Sequence, residues 1–457
     1  AGGTSNLLAF RLDPAQWIKE ILIYRLGADI DMKFGITKFT RTGLERRLGY
    51  LFLFLLFPGF FFYHTAIALG VIPPFLGGFF SPVSVVVVSS LLPLVIWGML
   101  RRKEFFNIDR VFWLIILYWC ITLISYQSFS SHFDSTKAEV LDWSLRGILA
   151  NIACYAVGRS LNIESSGLMR ILIASLIGML LISITNATDG LFYLRAMAGD
   201  EESVATYQGF ARSALVVSVL ALLVDRRFSR ASIVFVCSLV LLFLNGARSE
   251  FVFFLAAGLV FWWFVVFKST AARLLSVLAM LPLAIIVLVD IKELTSLLPQ
   301  TRMIQLLDIM HSSSGESRMV LSNEAVNIIR EHPLFGSYAA YVPKDGIGGY
   351  AHNILSAWAD LGIFGFLLFI FGLFFLLKGG RKLIAIKYSY KDVAIYMFAV
   401  ILLIAYLAAK DYTYMIFGFT AGLYAKALSR QKMLKNKLIM NSPGSIERVV
   451  LKSGAWR

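Results

Sequence analysis

Long apolar runs separated by short basic segments constrain this chain more than any motif in it. A helix crosses the roughly 30 Å hydrocarbon layer of a bilayer with about 20 residues. About twelve such runs follow one another, at 49–69, 80–100, 110–127, 143–161, 168–186, 207–225, 231–246, 250–267, 273–290, 353–377, 391–409 and 412–428. Composition agrees: 58% of the 457 residues are hydrophobic and 16% are charged, where soluble domains carry about 25% charged residues. The expected fold is an all-α polytopic membrane protein with about 12 transmembrane helices. The weakest runs are 143–161, which carries Arg146, and 412–428, rich in Gly, Ala and Tyr.

Lysine and arginine in the short connections set the orientation. "RRKEFFNIDR" at 101–110, "DRRFSR" at 225–230, "KSTAAR" at 268–273, "KGGRKLIAIKYSYK" at 378–391 and "KALSRQKMLKNK" at 426–437 are basic, as is the stretch with Arg41, Arg46 and Arg47. The alternate connections are not: "GVIPPFLGGFF" at 70–80 has no positive charge and "GDEES" at 199–203 is acidic. Alternation of twelve spans puts every basic loop, and both termini, on the cytoplasmic side. The net charge of +15 is then explained by these loops rather than by nucleic-acid binding. Residues 1–48 form a cytoplasmic basic segment without the pattern of a cleavable signal peptide. Within it, "PAQWIKEILIYRLG" reads either as an amphipathic helix on the inner leaflet or as a tail. Residues 429–457 form a basic cytoplasmic tail.

The same alternation places 291–352, about sixty residues, in one large periplasmic loop between helices 9 and 10. Connections this long are usually functional or disordered. Here "ESRMVLSNEAVNIIREHPLFG" sets Met319, Val326 and Ile329 at helical spacing and then stops at Pro333 and Gly336, which predicts an amphipathic helix against the membrane mouth.

Ionisable residues near the outer span ends are the candidate functional groups. Arg212, in "GFARSALVV", opens the sixth span; Arg248, in "LNGARSEFV", lies in the turn before the eighth; Arg318 begins the amphipathic helix; His352 opens the tenth span, in "YAHNILSAWADLGIFG". The plain reading of a span-end arginine is snorkelling to lipid headgroups, and it stays open for Arg212 and Arg146. Arg248 has room to approach a ligand beside Gly246, Ala247 and Ser249. His352, Ser356 and Asp360 stand at i, i+4 and i+8, a polar stripe that needs a wet cavity or a partner inside a membrane. Lys410, Asp411, Tyr412 and Tyr414 form another polar outer turn; either they line the same cavity or Lys410 pairs with Asp411. His64, His132, His311 and His332 read as structural, and Cys120, Cys154 and Cys237 as packing residues.

Clustered arginines suit phosphate, which they hold in planar bidentate forks. Outside the cytoplasm, where nucleotides are not supplied, that phosphate belongs to a lipid phosphate or diphosphate. A histidine suits proton abstraction from an alcohol. No HExxH, DxD, Cys/His ligand spacing, Walker loop or dinucleotide fingerprint is present, so no metal or other cofactor is called for.

"GARSE" around Arg248, "SRMVLSNEAVNIIREHPLFG" around Arg318 and "HNILSAWADLGIFG" from His352 resemble the conserved core of the O-antigen ligase and O-antigen polymerase superfamily, bacterial inner-membrane enzymes of polysaccharide and lipopolysaccharide biosynthesis. The resemblance covers roughly 205–375 in sequence. It implies inverting glycosyl transfer from an undecaprenyl-diphosphate-linked glycan at the periplasmic face. By position, Arg248 and Arg318 would grip the diphosphate, Arg212 would assist and His352 would be the base, with Asn353, Ser356 and Asp360 in support. The implied acceptor is lipid A–core for a ligase and another lipid-linked repeat unit for a polymerase. Pilin-glycosylating transferases share the same marks. One departure stands out: members often have Gly-x-Gly after Pro-Leu-Phe, whereas "FGSYAAY" has a single glycine, which bears on the local loop shape. A flippase or transporter would also have about twelve spans, but would show related halves and charges along a central path. Neither pattern is present in the sequence.

Overall fold

The computed structural model describes residues 41–74, 80–187, 191–192, 207–267, 269, 271, 273, 313–386 and 389–441. The bundle discussed below is the compact unit Glu45–Arg457. Among the described residues every regular segment is helical and no β-strand forms. In chain order the helices are α1 (Arg41–Phe54), α2 (Phe60–Ala68), α3 (Phe80–Arg102), α4 (Asn107–Phe129), α5 (Asp134–Ser160), α6 (Ser166–Thr185) and α7 (Tyr207–Ala221). They continue with α8 (Phe228–Leu244), α9 (Arg248–Phe261), α10 (Ser313–Glu331), α11 (Val342–Asp345), α12 (Leu355–Ile386), α13 (Val393–Ala408) and α14 (Ile416–Asn441). α1 runs into α2 through a π-helical turn, Leu55–Gly59, that carries Pro58; a missing N–H is accommodated by widening the turn.

Eight described helices are long and apolar enough to cross a membrane, and Gln208–Val224 and Phe228–Leu244 are shorter apolar helices. The expected count of twelve is therefore not reached among the described residues. The run 273–290 beyond Arg273 and residues 291–312 lie outside them, as do residues 1–40 and 442–457. Of the run 412–428, residues 416–428 belong to α14, which carries Lys426, Arg430, Lys432 and Lys435 and is not among the eight. α14 nevertheless packs in the bundle. A side chain at Gly418 would come within 2.2 Å of the Asn151 carbonyl oxygen, and one at Gly422 within 2.3 Å of that of Tyr155. Two glycines at i, i+4 thus let α14 lie backbone to backbone on α5, the small-residue packing that membrane helices use where lipid offers no hydrophobic drive.

The connections sort into two ends. At one end Glu104 receives Arg102 at 3.0 Å and Arg159 at 3.8 Å, and Ser429 donates to it from α14. Asp109 accepts the Tyr155 hydroxyl at 2.6 Å and lies 3.9 Å from Arg159. Arg430 bridges Glu164, at 2.8 Å, and Asp392. Lys391 donates to the Ile163 carbonyl at 3.1 Å, and Tyr390 to that of Leu223 at 2.8 Å. Loops expected to be basic and on one face therefore meet in one ionic network. α13 leaves it at Val393 and, at 1.5 Å per residue, its 16 residues carry the chain about 24 Å to Ala408 at the other end.

α12 departs from the expected span. It begins at Leu355, not at 353, and its 32 residues are broken at Gly362, where φ is 67° and ψ −173°. His352 therefore precedes the helix rather than opening it. The reason is a cap: the Asn353 side-chain oxygen accepts the Leu355 N–H at 2.9 Å, satisfying a donor that a helix start leaves free. Residues 355–361 form a short first segment, and 363–386 remain for the crossing.

Candidate functional site

The break at Gly362 seats the loop that follows α10. A free backbone group at membrane depth must find a partner, and here the loop and Tyr118 of α4 supply them. The Ile363 N–H donates to the Pro333 carbonyl at 3.1 Å, the Ser337 N–H to the Ala359 carbonyl at 2.7 Å, and the Tyr118 hydroxyl to the Leu361 carbonyl at 3.0 Å. Trp358 Nε1 donates to the Pro333 carbonyl at 2.9 Å. Gly336 (φ 71°) lies against this break. A Cβ on it would be 2.6 Å from the Gly362 nitrogen, and one on Gly362 would be 2.1 Å from the Leu334 oxygen. "HPLFG" and "DLGIFG" are thus two halves of one backbone latch.

Tyr338 and Ala339 continue the latch into the bundle. The Tyr338 hydroxyl accepts from Trp119 Nε1 at 2.7 Å and shares a hydrogen bond with Ser144 at 2.7 Å. Ala339 is fully buried with φ 55°, a left-handed conformation unusual for a residue with a side chain. The place of the absent second glycine is taken by Tyr338, and the left-handed residue is its neighbour Ala339. Its N–H donates to Asp360 Oδ1 at 3.2 Å, and the Tyr412 hydroxyl donates to Asp360 Oδ2 at 3.1 Å. Ser356 donates to the Asn353 carbonyl at 2.7 Å and accepts the Tyr412 N–H at 3.4 Å. Ser356 and Asp360 do share a face, both almost fully buried. What they meet is the 337–341 loop and the 411–414 turn.

α10 lies across this platform. Ala325, with Ile328 and Ile329 beside it, packs on Ala351, Leu355 and Ala359, while Met319 and Val320 are exposed. The predicted helix is present and stops where expected, with the His332 N–H on the Ile328 carbonyl and the Gly336 N–H on that of His332. Its buried stripe is rotated from Met319 towards Ala325. Asn353 Nδ2 donates to Ser322 Oγ at 3.3 Å, tying the start of α12 to α10 one turn beyond Arg318.

Four cations and His352 collect at this end. Arg318 Nη1 donates to the Ala408 carbonyl at 3.5 Å, at the C-terminus of α13, where helix dipoles favour positive charge. Two residues on, Lys410 Nζ lies 2.8 Å from Glu250 Oε1. Glu250 also accepts the Ser249 hydroxyl at 2.7 Å and has Arg212 among its neighbouring charges. Arg212 and Lys410 both stand over the Tyr414 ring, at 5.9 and 5.7 Å. Arg248 is the first residue of α9 and is partly exposed, two positions before Glu250. The His352 ring meets the edge of Tyr350 at 5.0 Å. Burial, then Arg318 and Lys410, push His352 down from 6.5 to about 4; desolvation and neighbouring cations both oppose protonation. The imidazole is therefore neutral, in its proton-accepting form, throughout the physiological range.

Sequence spacing pointed to Arg212, Arg248, Arg318 and His352, and all four belong to this end. It missed Glu250, whose only signal was a carboxylate in the first turn of a span, and Tyr338 and Tyr350, which local pattern does not distinguish from packing aromatics. Of the two readings open for Lys410, the pair with Asp411 does not form: its ion pair is with Glu250, and Asp411 accepts the Thr413 hydroxyl at 2.6 Å and its N–H at 3.3 Å, an Asx turn. Arg146 forms an exposed i, i+4 pair with Asp142, 2.9 Å from Nε to Oδ1. His64 is buried among Phe60, Tyr63 and Phe210, and His132 bonds Tyr126 at 2.8 Å. Among the described residues no group of three His, Cys, Asp or Glu is arranged to hold a metal ion.

Residues 233–370 match the family model described as O-Antigen ligase. The match supports a likeness to the O-antigen ligase superfamily over that segment. Members are membrane glycosyltransferases, and the apolar helices agree with a multi-pass membrane protein. No curated protein matches the chain. The O-antigen ligase segment carries Arg248, Glu250, Arg318, His352 and both latch glycines; Arg212 and the 409–414 turn lie outside it and are brought to it by the fold.

Proposed function

We propose that this chain is a metal-independent inverting glycosyltransferase of the O-antigen ligase type. It moves a glycan from undecaprenyl diphosphate to an acceptor hydroxyl of lipid A–core, at the periplasmic face of a bacterial inner membrane, with both termini in the cytoplasm. The observation that carries this reading is that Arg248, Arg318 and His352, all within the family-matched segment, stand at one end of the bundle with Lys410.

His352 takes the acceptor proton as the acceptor oxygen attacks the anomeric carbon from the face opposite the diphosphate. The bond from that carbon to the diphosphate oxygen breaks, and the electron pair leaves with the diphosphate. Arg248 and Arg318, with Arg212 assisting, bind the diphosphate and stabilise the charge it gains, the role that preorganised cations play at a leaving group. A bound diphosphate also offsets the two cations facing His352, so donor binding raises the basicity of the imidazole towards its ordinary value. Asn353, Ser356 and Asp360 hold the start of α12 and the 411–414 turn in place.

Purified protein incubated with lipid-diphosphate glycan and lipid A–core is expected to give the ligated product. Elongated lipid-linked glycan from donor alone would instead identify a polymerase, and no product under either condition would overturn the transferase reading.

A further inference from the structure

The cations at this end form two groups, and Lys410 is the residue common to both. Arg212 is one neighbour: it shares with Lys410 the Tyr414 ring and the carboxylate of Glu250. Arg318 is the other: it bonds the Ala408 carbonyl just upstream and faces His352 together with Lys410. Lys410 and Glu250 are also largely withdrawn from water, with side chains 12% and 1% exposed. A buried ion pair seldom stabilises a fold more than apolar residues of the same size would. Stability alone therefore gives little reason to set this pair into the bundle beside a proton acceptor.

We propose that Lys410 is a further anion-binding residue of this site, with Glu250 and Tyr414 positioning its ammonium group, and that its ligand is the distal phosphate of a lipid-linked diphosphate. This rests on the glycosyl-transfer reading above. The division of labour follows from side-chain chemistry. Guanidinium forks fix an anion's geometry, whereas an ammonium on a four-carbon stem is a mobile point charge. When the glycosidic bond breaks, the diphosphate gains one negative charge, and Lys410 is placed to turn towards it from Glu250. Glu250 keeps Ser249 as a hydrogen-bond donor and Arg212 as a neighbouring charge.

A second consequence is electrostatic. The groups acting on His352 are Arg318 from α10, Lys410 from the turn after α13 and Tyr350 from its own loop; Asp411 lies beside Lys410, and Glu250 pairs with Lys410. Removing the ammonium deletes a charge that opposes protonation, so the imidazole titrates at a higher pH.

The test uses the full chain purified in detergent, with polyprenyl diphosphate and polyprenyl monophosphate as probes. K410M alone leaves Glu250 buried without its partner, so the decisive variant is K410M/E250Q, which replaces the ion pair by a neutral one. The expected result is a folded protein whose diphosphate binding is weaker by roughly tenfold or more, with monophosphate binding little changed and the acid limb of transfer moved to higher pH. Wild-type diphosphate binding and an unmoved acid limb in that variant would overturn the proposal, as would failure of that variant to fold, which assigns the pair to structure. R318A separates the two readings. If it weakens diphosphate binding while K410M/E250Q does not, only the Lys410 assignment falls; if neither weakens it, the diphosphate site itself is wrong.

Discussion

Arg159 and Arg318 are both arginines at an end of the same helical bundle, and their surroundings differ in kind. Arg159 is 1% exposed, 3.8 Å from Glu104 and 3.9 Å from Asp109, with its guanidinium 5.7 Å from the centre of the Phe106 ring. Arg318 is partly exposed and touches a backbone carbonyl at 3.5 Å, and its neighbouring titratable group is a neutral imidazole. In the network end, carboxylates from one loop are matched to cations from another, and the pairs tie together helices that are distant in sequence. In the other end, Asp360 and Asp411 are engaged by a backbone N–H and hydroxyls, Glu250 pairs with Lys410, and Arg318 and Lys410 act on His352. Charge that is matched locks helices; charge gathered around a proton acceptor marks a place for an anionic ligand.

The largest expected effect tests the site end. His352→Ala should lower transfer by about 10²- to 10⁴-fold, the usual contribution of a general base, while binding of polyprenyl diphosphate is retained. Transfer at the normal rate would remove the base assignment. Arg159→Leu is the matching test at the network end. It leaves Glu104 and Asp109 buried without their shared cation and should cost about 3–5 kcal/mol of stability, read from thermal unfolding in detergent, with transfer per folded molecule unchanged. A variant that stays stable but loses transfer would break the distinction between the two ends.

Gly362→Ala probes the latch that carries the site. Its backbone conformation costs a side chain about 1–2 kcal/mol, and the contact with the Leu334 oxygen adds about 1–3 kcal/mol of overpacking. Proteolysis in the 332–341 loop should increase before the bundle as a whole unfolds; loss of the whole bundle at once would show that the latch is not a separate unit. The smallest effect near neutrality is in pH. A group held at about 4 is neutral above that value, so kcat/KM, which reports the unliganded protein, should be flat from pH 6 to 8 and fall to half near pH 4. An acid limb in kcat at higher pH than in kcat/KM would reveal the diphosphate raising His352; coincident limbs would argue against that coupling.

Much of this was legible because it is periodic. Apolar runs, their alternation with basic loops, and the helix that ends before Pro333 and Gly336 are local patterns, and the helices follow them. The start of α12 was also written locally: Asn353, two residues before Leu355, is a cap signal, and reading it would have placed His352 outside the helix. The break at Gly362 and the Lys410–Glu250 pair were not legible. Each depends on a partner far along the chain, Leu334 in one case and α9 in the other, and periodicity says nothing about which loops meet. The turn at "FGSYAAY" shows the same limit, since Ala339, one position past the absent glycine, takes a left-handed conformation that nothing in the local pattern marks.

The most direct measurement is a structure of the full chain with polyprenyl diphosphate bound. The account predicts phosphate oxygens within about 3 Å of the Arg248 and Arg318 guanidinium groups, with His352 facing the carbon that would bear the sugar. A diphosphate bound among Arg102, Arg159 and Arg430 at the network end, or one held by the arginines with His352 turned away behind Tyr350, would contradict it.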